Sequence, residues 1–288
     1  ARLAARTVPY RPRPDRRGDL PLRLSCLLLA TAMLGVLGMA MYTSLVRFLP
    51  YNLELTLYHH IYGLADAGVL AAWQNSLKIA VLTALFGTPL VFFTAWLLER
   101  TPARPAALST AVRAMAALPM GVPGLVLGIG YILFFNTPDN PLNGLYHTLT
   151  IMVVATVVHF YTPCHLTAVT ALKSLDREFE AVSASLKVSR FVTLWRVTLP
   201  VCLPAVLEIA RYLFVNAMTT VSALVFLYSS ETLPAAVAIL NLDEAGELGP
   251  AAAMATLIVL SSALISLVYS LLTLLLLRRH QAWRHFQR

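Results

Sequence analysis

Residues 174–204 read SLDREFEAVSASLKVSRFVTLWRVTLPVCLP, a charged island between long apolar segments that closes on a Leu-Pro pair. Leu175, Phe179, Val182 and Leu186 fall at i, i+4, i+7 and i+11, which makes one apolar stripe of a helix laid against a partner surface. Ser174 or Asp176 is placed to cap that helix. Asp176, Glu178 and Glu180 then occupy its first turns, where negative charge suits the positive end of the helix dipole. After a break near Lys187, Ser189 is placed to cap a second helix carrying Phe191, Leu194 and Trp195, and Pro200 closes the loop against the next apolar segment. Such a polar two-helix loop is either a docking element for a soluble partner or an amphipathic connector on lipid headgroups, which attract Arg and Trp alike.

Composition sets the class around this loop. The chain is 58% hydrophobic and 12% charged, against about 25% charged residues in an average soluble domain. This predicts an all-α integral membrane protein in a lipid bilayer. A helix needs about 20 apolar residues to cross about 30 Å of hydrocarbon. About six segments meet that need: 24–46, 73–98, 112–135, 147–169, 203–228 and 250–277. Pro119, Pro123, Glu208 and Arg211 make the third and fifth the least regular. The resulting division is a basic, Arg/Pro-rich tail or linker (1–23), a transmembrane domain (24–277) with its loop at about 170–202, and a basic tail (278–288). The chain begins at Ala1, and its first apolar run is too long for a signal-peptide core. Either it is a segment of a longer polypeptide or its N-terminus is trimmed.

Lys and Arg stay on the cytoplasmic side of short loops, and here they are one-sided. Nearly all of the 22 basic residues lie in the N-terminal tail, around Arg100 to Arg113, in the long loop or after the last segment. The connection after Tyr228 instead carries Glu231, Asp243, Glu244 and Glu247 with no Lys or Arg. Six spans with both termini cytoplasmic fit every connection. The net charge of +8 is accounted for by this bias, so no nucleic-acid partner is predicted. Asp243 to Glu247 either contacts an external partner or is a solvated face.

Polar residues inside the spans are costly unless they face protein or water, which makes them pathway candidates. Asn216, Thr219 and Thr220 lie at i, i+3 and i+4 with Ser222 beyond, a polar stripe that either lines a translocation path or hydrogen-bonds to neighbouring helices. Glu208 and Arg211 are spaced to pair on one helix face. In the third span Pro119, Pro123, Gly124 and Gly128 form a packing element. The glycines make a small-xxx-small face for close approach, and the prolines loosen the helix. His159 and His165, at i and i+6, point to different faces. Cys26, Cys164 and Cys202 sit in apolar surroundings without metal-ligand spacing, so no metal site is predicted. No catalytic constellation of paired carboxylates, or of a nucleophile beside a base, is present in the sequence.

Glu180, Ala181, Ala184, Val197, Leu199 and Pro200 resemble the EAA loop of ATP-binding-cassette importer permeases, whose pattern is E-A-A, three residues, G, nine residues, I-x-L-P. Counting back from Pro200, the pattern's Ile falls on Val197, its Gly on Lys187 and its Glu on Ala181, one residue beyond Glu180. Lys187 thus departs from the pattern. Glycine there permits a left-handed turn, which costs a Lys on the order of 1 kcal/mol, so either the turn uses a different geometry or the register slips by one residue. The Leu118-Pro119 and Gly121-Val122-Pro123-Gly124 runs before Gly128 and Gly130 are also similar to that class. REFEAVSASLKV, RVTLPVCLPA and YLFVNAMTTVSALVFLYS resemble the permeases of 2-aminoethylphosphonate importers, which are related to iron(III)-type permeases whose two six-span halves are often fused.

The resemblance implies a type I importer permease bundle in the bacterial inner membrane. It moves a small solute, 2-aminoethylphosphonate or a related phosphonate, with iron(III) or another small anion as the alternative. It also implies three partners: a dimer of ATPase subunits, a periplasmic binding protein, and a second permease half, either fused upstream or separate. The chain itself has no G-x-x-x-x-G-K-[ST] loop, so no cofactor is expected in it, and ATP and Mg belong to the ATPase. Coupling then falls to Phe179, Glu180, Ala181, Val182, Ala184, Leu186, Lys187, Val197, Leu199 and Pro200. A secondary carrier and an integral membrane enzyme are the readings of other classes. Neither accounts for the two-helix loop.

Overall fold

A computed structural model describes residues 16–64, 68–101, 105–176 and 178–280. The described residues are mainly helical, with a short antiparallel hairpin of β1 (Val46–Phe48) and β2 (Asn52–Leu55) that follows α1 (Arg16–Leu45). The helix α1 takes in the last residues of the expected basic tail, with Pro21 near its start. Residues 1–15 and 281–288, which hold most of both predicted tails, lie outside the described residues.

The centre of the bundle is α2 (Val69–Arg100), half of whose apolar window is buried, in contrast to none of that of α1. At 32 residues and 1.5 Å per residue it is about 48 Å long, ample to cross a bilayer. The residues Ile79, Ala80, Val91 and Ala95 are fully buried along it. Gly87 permits the closest approach: a Cβ there would lie 2.9 Å from Leu213 and 3.0 Å from Val157.

Two of the predicted spans are broken. The segment expected at 112–135 is two helices, α3 (Ala106–Gly121) and α4 (Gly124–Phe135), bent by 110°. Val122 precedes a proline and is extended, at φ −107° and ψ 120°, as the proline ring requires of its predecessor. Pro123 then starts a new helix in place of continuing the old one. The segment expected at 147–169 is α5 (Leu149–His159) and α6 (Tyr161–Ser174), bent by 55° at Phe160. Pro163 offers no N–H to the His159 carbonyl and its ring crowds that oxygen, so the turn there cannot close.

A loop helix α7 (Glu178–Ser185) follows. The chain then runs through α8 (Arg190–Thr193), a π turn at Leu194–Thr198 and α9 (Leu199–Thr219), which make one continuous span, Arg190–Thr219. The fifth span therefore starts well before residue 203 and stops nine residues short of 228. Residues 220–228 hold no helix breaker, and tertiary contacts decide their course. Asn75 Nδ2 donates to the carbonyls of Glu231 (2.8 Å) and Leu233 (3.2 Å), and the Ala235 N–H donates to Ser76 Oγ at 2.8 Å. Tyr146 Oη donates to the Phe226 carbonyl at 3.2 Å, and Leu224 and Leu227 are fully buried. Non-helical backbone at membrane depth survives only where protein covers it in this way. Two further helices, α10 (Ala235–Glu244) and α11 (Leu248–His280), end the described residues, and α11 packs on α1, α9 and α10.

One core cluster, with Phe92, Trp96, Leu172, Leu194 and Ile209, joins α2, α6 and α9 at the loop end. Two others, around Met254 and around Met152, fill the opposite end. The loop helices thus stand at the end of a packed three-helix core.

Candidate functional site

The loop folds as two helices with the turn where the pattern puts it. Asp176 Oδ1 accepts the Glu178 N–H at 3.2 Å and so opens α7, whereas Ser174 Oγ donates to the Ala171 carbonyl and belongs to the end of α6. Ser189 caps the second helix, its Oγ accepting the Val192 N–H at 3.4 Å.

Lys187 is left-handed, at φ 54°. Its N–H donates to the Ala184 carbonyl at 3.1 Å and the Val188 N–H donates to the Ser183 carbonyl at 2.9 Å. This is the Schellman pair of bonds that ends a helix at a left-handed residue. The turn keeps the glycine geometry with a lysine in it, which fixes the register on Lys187.

The predicted stripe points away from the body of the protein. Phe179 is 49%, Val182 57% and Leu186 70% exposed, and no residue of α7 is buried. Only Leu175, at its start, packs against the core. Ala181 and Ala184 are exposed beside the stripe, and Val197, Leu199 and Pro200 are half-buried where the second helix enters the span. Phe191 and Trp195 add exposed aromatic surface, their rings edge-to-face at 6.1 Å.

Glu180 faces the other way. Its two carboxylate oxygens accept from Arg100 Nη1 at 2.9 and 2.8 Å. Arg100, at the end of α2, also donates from Nη2 to the carbonyls of Leu172 and Leu175. Its side chain is 4% exposed. Sequence reasoning counted Arg100 only as topogenic charge. No spacing rule could find its partners, because Glu180 lies eighty residues away.

In α9 the ion pair of Glu208 and Arg211 forms as spaced, on an exposed face. Asn216 is half-buried and donates to the Tyr212 carbonyl of its own helix at 2.8 Å, and Thr219 is exposed beside it. The stripe ends there. Thr220 is extended and buried, and Ser222 lies past the helix, so neither continues the face of Asn216 and Thr219. Ser222 instead meets the packing element: a Cβ on Gly124 would lie 2.9 Å from Ser222 Cβ and 3.0 Å from the His159 ring. A Cβ on Gly128 would lie 2.9 Å from the Phe226 ring. Pro119 and Pro123 flank the bend between α3 and α4. Among the described residues no group of three or more His, Cys, Asp or Glu side chains is placed to hold a metal ion.

A broken-span helical bundle with a two-helix loop at one end is the architecture of the membrane subunit of a type I importer. The model of the family "Binding-protein-dependent transport system inner membrane component" matches residues 87–280, and the chain belongs to that family. It is 32% identical over 218 residues to the ferric transport system permease protein FbpB of Actinobacillus pleuropneumoniae, covering 73% of this chain and 30% of that protein. The chain thus spans under a third of that relative's length. It is 29% identical over 218 residues to the molybdenum transport system permease protein ModB of Escherichia coli K12, covering 69% of this chain and 91% of that protein. The fold matches a bacterial ABC transporter involved in alginate import at TM-score 0.70 and 15% identity, over 90% of this chain and 98% of that one. It matches the inward-facing MetNI methionine ABC transporter at TM-score 0.55 and 15% identity, over 75% of this chain and 98% of that one.

Proposed function

We propose that this chain is a membrane-spanning permease subunit of an ATP-binding-cassette importer, coupled to its ATPase through α7 and α8. The observation that carries the reading is the outward apolar stripe of Phe179, Val182 and Leu186 on a helix that buries nothing of its own. Exposed apolar residues on a polar loop at the end of a membrane bundle need a partner surface. ATP and Mg act in that partner. A second permease half, fused or separate, completes the path, and a periplasmic binding protein delivers solute at the face opposite the loop. The charge bias supports placing both termini in the cytoplasm of a bacterial inner-membrane protein.

Asn216 and Thr219 present polar groups on an exposed face of α9 and are the proposed contacts with solute. The similarity of the segments within residues 177–228 to phosphonate permeases supports 2-aminoethylphosphonate as the solute, and the ferric relative supports iron(III). Purification of the tagged native gene product in mild detergent tests the assembly, with intact mass showing whether the second half is on the same chain. A co-purifying ATPase supports the reading. Accumulation of solute by this chain alone in ATP-free vesicles under an ion gradient overturns it in favour of a secondary carrier. Parallel uptake of radiolabelled iron(III) citrate and 2-aminoethylphosphonate in a strain with and without the gene decides between the solutes.

A further inference from the structure

We propose that Glu180 works through Arg100 as an internal strut between α7 and the membrane spans, and not as a contact with the ATPase. The inference rests on the coupling reading above and assigns Glu180 and Arg100 as positioning residues.

No residue of α7 is buried, and the helix lies over a cavity of about 460 Å³ lined by Trp96, Arg100, Glu180, Ser183, Thr193 and Thr198. Close apolar packing therefore does not hold α7 to the bundle, and a charged tie crosses the space. Arg100 Nη1 binds both oxygens of Glu180, and Nη2 binds the carbonyls of Leu172 and Leu175 at the end of α6. Those carbonyls belong to the last turn and the exit of a helix, where the dipole is negative; the Leu172 carbonyl also accepts the Leu175 N–H at 3.2 Å. One planar guanidinium thus joins the ends of α2 and α6 to α7, with its donors in a fixed fork that an ammonium lacks.

The direction of the carboxylate decides its role. Both oxygens of Glu180 point inward to Arg100, while Phe179, Val182 and Leu186 form the outer surface. A push on that outer surface reaches α2, the most buried of the four unbroken spans, through the ion pair. The apolar stripe then supplies affinity for the ATPase, and the ion pair supplies transmission.

A double-mutant cycle tests this in the complete permease–ATPase complex in nanodiscs, with MgATP as the probe. The variants are Glu180→Gln, Arg100→Gln, their combination and Arg100→Lys. Permease-dependent ATP hydrolysis and the ATPase retained on purification are both read. Each single variant is expected to lower the permease-dependent rate about tenfold with retention unchanged. The double variant is expected to fall no lower than either single, since partners in one interaction are not additive. Arg100→Lys is expected to behave as Arg100→Gln.

Loss of retention in Glu180→Gln, or a double variant lowered by the product of the singles, overturns the strut and makes Glu180 a direct contact. Absence of any ATPase from the wild-type complex overturns the coupling reading itself. If the Arg100 variants do not assemble, hydrogen exchange of Glu180→Gln alone decides. Faster exchange confined to the α7 amides supports the strut, and unchanged exchange refutes it.

Discussion

Lys187 occupies a conformation that its side chain makes costly. A non-glycine residue in the left-handed region loses on the order of 1 kcal/mol, and the two Schellman bonds hold it there. Lys187→Gly is expected to raise the stability of the turn by up to about 1 kcal/mol. Slower hydrogen exchange at Val188 is the check, and faster exchange would show that the turn is unstrained. Two glycines of one helix give a sharper contrast. Gly128→Ala pushes a methyl into Phe226, whereas Gly130 has nothing within 4 Å. Overpacking of this kind costs about 1–3 kcal/mol, so thermal unfolding in detergent should register Gly128→Ala and leave Gly130→Ala near wild type. At this scale the resemblance put the pattern's glycine on Lys187 while leaving the turn's geometry and register open, and the backbone there is left-handed. Local spacing missed Arg100, because ion pairs across eighty residues leave no local trace.

The loop helix and the fifth span carry separate predictions as elements. Phe179 is 49% exposed and lies on a helix with no buried residue, so Phe179→Asp should leave the fold and its melting temperature unchanged. The same change should reduce ATPase co-purification at least tenfold, and undiminished co-purification would remove the stripe from the docking surface. Asn216→Leu should impair uptake while the complex with the ATPase persists. Loss of the complex would instead give Asn216 a packing role, despite its hydrogen bond within its own helix. Pro119 and Pro123 were visible as perturbations of the third span in a linear reading, but not as a bend of 110°, and the 55° bend beside Pro163 was not anticipated. The angle depends on what the freed helix ends pack against. The end of α9 at Thr219 had no sequence signal at all, because Asn75, Ser76 and Tyr146 from other elements hold the segment that follows.

Over the whole molecule, stability is concentrated in α2 and its neighbours. Ile79 is fully buried and Leu34 in α1 is 68% exposed. Ile79→Ala should cost about 2–5 kcal/mol, and Leu34→Ala should stay within about 0.5 kcal/mol. Comparable losses at the two sites, measured as thermal unfolding in detergent, would mean that α1 is as integral to the bundle as α2. Sequence alone determined that the chain is a helical membrane protein, roughly where its apolar segments lie, and that a polar two-helix loop with a break near Lys187 interrupts them. Those properties follow from hydrophobic length, helical periodicity and local backbone preference, which neighbouring residues express directly. Tertiary structure alone decided the angles at which the broken spans bend, where the fifth ends and that Glu180 turns inward to Arg100. Each of those depends on hydrogen bonds and packing between residues far apart in the chain, and such partners become neighbours only when the bundle closes.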